Sequence, residues 1–217
     1  MNRLNVWNEL NRSIVEPEIP VSHTTEPTQD GLIHTLGKVR KDSPAPFWFT
    51  VQADIHRLRE EDDSVRALIR GLLSQGFQAL FVYRVFRWFH ERRIPTQPVR
   101  FFFERFIEMT TGISIPAEAA IGKGLRIHHF GGIIVHSAAV VGEYCTIYHG
   151  VTLGDRGGWG GGPRVGNRVL IGAGAKLIGE IVIGDDCVIG ANAVVLASVP
   201  TAHLAVGVPA VAKKRLQ

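Results

Sequence analysis

From residue 115 onward an aliphatic side chain returns at every sixth position. Ile115, Ile121 and Ile127 open the series, and Val135, Val141, Ile147 and Leu153 continue it after a two-residue slip. A glycine-rich interruption follows, and the period resumes as Val165, Ile171, Leu177, Ile183, Ile189 and Val195. Glycine follows the aliphatic at 122, 142, 154, 166, 172, 184 and 190, and small residues recur four places on, as at Ala119, Ala139, Cys145, Ala175, Cys187 and Ala193. A helix repeats near 3.6 residues and a single strand at 2, so a period of six belongs to neither. It is the period of short flat strands joined by tight turns, three to a coil and stacked into a parallel β-helix. Each aliphatic must point inward, because only an apolar stack can close such a prism.

The chain ahead of this repeat reads differently. Residues 1–47 are polar and proline-containing, as in "VEPEIPVSHTTEPTQDG", and read as a flexible N-terminal arm. Residues 48–111 are helical in pattern, with a break near Gly76, an end at Pro95 and Pro98, and a last helix stopped by Gly112. The chain thus divides into an arm (1–47), an α-helical domain (48–111), a β-helix (112–200) with a loop at 154–164, and a C-terminal extension (201–217). The fold class is α+β, a helical domain followed by a parallel β-helix. Most of the phenylalanines lie between 77 and 106 together with six arginines. A helix pair packing aromatics inward, with arginines snorkelling outward, accounts for this; the alternative is a membrane-surface helix.

Composition excludes several classes. No stretch reaches the roughly 18 uninterrupted apolar residues of a spanning helix, and "MNRLNVWNEL" has no apolar signal core. A cytoplasmic protein without membrane partners is the expectation. The net charge of +4 suits an anionic ligand but does not by itself argue for nucleic acid. Cys145 and Cys187 offer neither metal-ligand spacing nor a disulfide framework. They share one face two coils apart, beyond disulfide reach, so both are expected as free thiols.

The register also sorts the histidines in "IHHFGG", residues 127–132. With three hexads to a coil, the faces beginning at 127, 147, 171 and 189 lie one above another. Their third positions read His129, His149, Ala173 and Ala191, while His128 falls outside that column. Two imidazoles over two alanines fit a reacting centre beside a groove for a slender thioester arm. Imidazole titrates near neutrality and can accept a hydroxyl proton. The alternative is that both are hydrophilic turn residues. The loop "GDRGGWGGGPR" (154–164) interrupts the solenoid with irregular chain, a common place for function. It lacks the GK[ST] of a phosphate loop, and a flap over an acceptor fits better, with Asp155, Arg156, Trp159 and Arg164 as recognition candidates.

In combination, "ADIHRLREEDDSV", "GFQALFVYRVFRWF", "GVTLG", "IGAGAKLIGEIVIG" and "GVPA" resemble the serine acetyltransferases, hexapeptide-repeat acyltransferases with a left-handed β-helix. The likeness runs from about residue 52 to 212 and is greatest to the shorter, tail-less members. It implies acetyl transfer from acetyl-CoA to the hydroxyl of L-serine for cysteine biosynthesis, with no metal. It places the base at His129, has a glutamine in its long members where the register sets His149, and places an amino-acid contact at Asp62, which equally reads as a helix N-cap. The acceptor contacts are Asp62, Asp155, Arg156 and Arg164; the donor contacts are Gly154, Gly172, Ala173, Lys176, Gly190, Ala191 and Lys213. The family's aspartate paired with the base falls at Ser114, the aspartate before the base falls at His128, and the loop histidine is replaced by glycines. A sugar or other small hydroxyl acceptor is therefore the alternative, and a non-catalytic trimer the third reading. The resemblance also implies a homotrimer or dimer of trimers, and no tail-mediated complex with cysteine synthase.

Overall fold

A computed structural model describes residues 46–59, 64–129, 131–157 and 161–215. The arm expected at 1–47 therefore lies almost wholly outside the described residues, as do Asp62 and Trp159. Among these residues four helices precede the strands: α1 (Phe47–Arg57), α2 (Val65–Leu72), α3 (Gln75–Glu91) and α4 (Val99–Thr111). The break expected near Gly76 falls at Ser74, whose hydroxyl caps α3 by accepting from the Phe77 N–H at 3.2 Å. Gly76 lies inside α3, where a Cβ would come within 2.9 Å of the Ile127 side chain. The glycine marks a close approach of helix to coil, not a stop. Gly112 ends α4 in the left-handed conformation, φ 65°.

Fifteen short strands then wind into stacked coils with three faces. One face is a five-stranded sheet of β1 (Ile113–Ser114), β4 (Ile133–Val135), β7 (Thr152–Gly154), β10 (Lys176–Ile178) and β13 (Val194–Val195). The second holds β2 (Ala120–Ile121), β5 (Val140–Val141), β8 (Arg164–Val165) and β11 (Val182–Ile183). The third holds β3 (Arg126–His128), β6 (Thr146–Tyr148), β9 (Leu170–Ile171), β12 (Val188–Ile189), β14 (His203–Gly207) and β15 (Ala210–Lys214). Ile127 pairs with Ile147, Ile147 with Ile171, and Ile171 with Ile189, all parallel, which is the column order the hexad register predicts.

Leu153, Ile171, Leu177, Ile183 and Ile189 are wholly buried along the axis, and Ala119, Ala139, Cys145, Ala175, Cys187 and Ala193 fill the tighter corners. Only small side chains fit where the chain turns inside a prism this narrow. The cysteines are unbonded to each other, their thiols donating to the Gly166 and Pro200 carbonyls. Burial pushes the Cys145 thiol up to about 11, so it behaves as a small core residue and not as a nucleophile. The glycines after the aliphatics answer the coil stacked against them: a Cβ on Gly142 would meet the Gly166 carbonyl oxygen at 2.5 Å. Gly142→Ala is accordingly expected to cost about 1–3 kcal/mol by overpacking, read as a lower midpoint in denaturant unfolding; an unchanged midpoint would mean the coils yield there.

The coils do not end near Pro200. Leu204 and Ala205 of β14 pair in parallel with Val188 and Ile189, and Ala205 is fully buried. The "VP" turn shortens the last circuit without ending it, and only β15 leaves the winding, folding back antiparallel on β14. The helices are pinned to the first coil by polar side chains. Arg84 forms a two-pronged ion pair with Asp54 (2.9 and 3.2 Å) and donates to the Ile121 and Gly122 carbonyls at 2.6 Å. Asp54 in turn accepts from the Gly124 and Leu125 N–H groups. Tyr83 donates to the Ala119 carbonyl and accepts from the Ile121 N–H. The expectation that the aromatics all face inward fails on α4. Phe86 of α3 is buried against Phe103, but Phe101, Phe102, Phe103 and Phe106 are all at least half exposed. Only one side of α4 meets α3 and the coil, so half of its apolar surface has no neighbour among the described residues. No helix among those residues is long and apolar enough to cross a membrane.

Candidate active site

The two coil corners that follow β3 and β6 carry His129 and His149. Their rings meet edge to face with centroids 5.8 Å apart, and both side chains are exposed. The column continues through Ala173 and Ala191, tied rung to rung by Gly174 N–H to the His149 carbonyl and Asn192 N–H to the Ala173 carbonyl, each 2.8 Å. Where the second coil runs His149–Gly150, the first runs His129–Phe130–Gly131–Gly132. His129 itself lies in the left-handed region, φ 60°. Gly132, which stacks on Gly150, is left-handed as well, as are Gly150 and Gly174 above it (φ 67°, 71° and 74°). Tyr144, Arg168, Asp186 and Asn192 adopt the same conformation at other turns of the winding.

One residue earlier, His128 lies nearly parallel on Tyr148, with centroids 4.8 Å apart and planes at 10°. His129 also faces both members of that stack, at 6.3 and 6.4 Å. The site is thus a cluster of four rings from two adjacent coils. Tyr148 escaped the sequence reading, although a signal was present: "RIHH" and "TIYH" share one register, so the aromatic before each histidine recurs in both rungs.

The other candidates are distributed around the stack. Lys176 of β10 donates to the Gly150 carbonyl and to Thr152 Oγ1, bracing the turn just after His149. Gly172 and Gly190 close β9 and β12, and each is hemmed in by the next rung: a Cβ would lie 2.7 Å from the Ala191 nitrogen and 2.7 Å from the Val206 side chain. Their lack of a side chain is explained by stacking alone. Gly154 ends β7 and its carbonyl accepts from Gly179 N–H. Lys213 is exposed on β15 opposite Leu204.

The loop residues do not join the histidines within one chain. The histidine column lies where the six-stranded face turns into the five-stranded one, whereas the loop joins β7 of the five-stranded face to β8 of the four-stranded one. Arg156 donates to the Leu196 carbonyl and packs over Gly179, where a Cβ would meet its Nε at 2.8 Å. Asp155 is half-buried at the start of the loop and Arg164 is exposed on β8. The described loop residues therefore lie at a different corner of the subunit from the histidines.

Residues 162–197 match the bacterial transferase hexapeptide (six repeats) family. The chain is 40% identical over 163 residues to the serine acetyltransferase of Synechococcus elongatus, covering 74% of this chain and 66% of that protein. It is 42% identical over 160 residues to the serine acetyltransferase of Helicobacter pylori, covering 70% of this chain and 90% of that one. It therefore spans just under two thirds of the first relative's length and nearly all of the second's. Among solved structures, the serine acetyltransferase of Brucella abortus in complex with coenzyme A superposes with a TM-score of 0.72 at 30% identity, over 87% of this chain and 72% of that one.

Proposed function

This chain belongs to the serine acetyltransferase family, and from that premise we propose that it transfers the acetyl group of acetyl-CoA to the hydroxyl of L-serine. The observation that carries the reading is the His129–His149 pair, set edge to face at one corner of adjacent coils with two alanines on the next rungs of the same column. In this mechanism the His129 imidazole takes the serine hydroxyl proton as the oxygen adds to the thioester carbonyl. The tetrahedral intermediate then expels the CoA thiolate, which recovers the proton from the imidazolium. Every atom is accounted for, and the products are O-acetylserine and CoA.

Acetyl-CoA as donor is supported by the coenzyme A complex of the Brucella abortus relative. The pantetheine arm would run along the low ground of Ala173 and Ala191, over Gly172 and Gly190 and past Gly154, with Lys176 near the thioester and Lys213 toward the phosphates. The acceptor contacts would be Asp62, Asp155, Arg156 and Arg164. Since loop and histidines occupy different corners of one subunit, a neighbouring copy must present its loop to complete a site, which favours a closed homotrimer. The trimer, and action in the cytoplasm where acetyl-CoA is made, belong to this reading.

Release of CoA from acetyl-CoA, followed with a thiol reagent, decides the acceptor. L-serine is expected to support turnover well above homoserine, threonine and nucleotide sugars. Faster turnover with a sugar would overturn serine as the acceptor, and no turnover with any hydroxyl compound would overturn the enzymatic reading altogether.

A further inference from the structure

The imidazole of His129 is exposed, sits on a residue of left-handed backbone, and has no carboxylate to donate to among the described residues. A general base must nonetheless be held within a few tenths of an ångström of its working position, because misplacement by about 1 Å costs on the order of 100-fold in rate. What surrounds it is aromatic. Tyr148 stacks against His128 at 4.8 Å, and both rings of that stack lie tilted beside the His129 ring at 6.3 and 6.4 Å, while His149 meets it edge to face. Aromatic contacts of this kind are directional, so the stack and the His149 edge together favour one orientation of the His129 ring. We infer that Tyr148, with His128 stacked upon it, is the positioning residue that holds the His129 imidazole for catalysis. This rests on His129 being the base. The ring does the positioning, and the phenol oxygen has no part in it.

Tyr148→Phe keeps the ring and removes the hydroxyl, while Tyr148→Leu removes the ring and keeps a branched apolar side chain. The Phe variant should retain kcat within about twofold of the wild type. The Leu variant should lose roughly 10- to 100-fold in kcat, with KM for acetyl-CoA and the thermal midpoint unchanged. A Leu variant at wild-type rate, or a Phe variant as slow as the Leu one, overturns the assignment. If the wild type acetylates no acceptor, the functional reading fails separately, and histidine Cε1–H NMR resonances then decide the point. The His129 resonance, identified by its loss in His129→Ala, should move in Tyr148→Leu when the ring current is lost and stay in Tyr148→Phe. A resonance unmoved in Tyr148→Leu rejects the positioning role. His128→Leu, which strips the other half of the stack, should slow turnover in the same direction by about tenfold, and serves if Tyr148→Leu does not fold.

Discussion

His129→Ala is expected to lower the rate of acetyl transfer by about 10²–10⁴-fold, the usual contribution of a positioned general base, and to leave the affinity for acetyl-CoA nearly unchanged. The two effects should separate because the proposed base and the proposed donor groove are different features of one column: His129 at the lowest corner, and Ala173 and Ala191 on the rungs above. Filling the groove should have the opposite signature, so Ala173→Trp is expected to raise KM for acetyl-CoA. His128→Ala tests the register itself. His128 and Tyr148 are paired strand residues, one place before the column, so removing His128 should cost no more than about tenfold. A dead His128→Ala beside a near-normal His129→Ala would put the base at the wrong residue and sink the site. Steady-state kcat and KM at neutral pH for the three variants settle the matter.

Arg84→Met is expected to destabilise the folded chain by about 3–5 kcal/mol at neutral pH, the typical result of removing one partner of a buried ion pair. Arg84 and Asp54 are 5% and 2% exposed, and no water can replace the guanidinium. Burial already pushes the Asp54 carboxyl up from its ordinary range, opposed by the Arg84 guanidinium and by the Gly124 and Leu125 N–H groups. Without Arg84 that opposition weakens and the carboxyl rises further. An acid whose pKa is raised on folding holds its proton more tightly in the folded state, so the variant gains stability as pH falls through the folded pKa and loses it as pH rises. The deficit against the wild type should therefore narrow on acidification, toward the ordinary carboxylate range. Denaturant unfolding at several pH values measures it, and a deficit independent of pH would show that lost packing, not the unpaired charge, is responsible. The double variant Arg84→Met, Asp54→Leu should recover much of the loss, because an apolar pair leaves no buried charge behind.

Much of the solenoid could be read directly from the chain. A six-residue aliphatic period calls for stacked three-strand coils, and a slip by one residue would turn every inward side chain to solvent. The column of His129, His149, Ala173 and Ala191 followed from that arithmetic, as did the separation of the two cysteines by one intervening rung. Such features are local: each is set by which way a side chain points within its own hexad. The rest needed the folded chain. Asp54 lies 70 residues from the Gly124 N–H it accepts from, and no spacing announces a contact of that separation. Gly76 reads as a helix break in sequence, yet it is a contact point for Ile127. The coil runs past Pro200 because the backbone of β14 finds β12 beside it, although the period has lapsed there. At the site, the slip after Ile127 was visible in the residue count, but its consequence was not. His129 is in the left-handed conformation, and its ring lies beside Tyr148 and His149 of the next coil. Periodicity determines which face a residue occupies. Only the stacking of one coil on another decides which side chains touch, because that depends on backbone conformation at the corners and on contacts between rungs twenty residues apart.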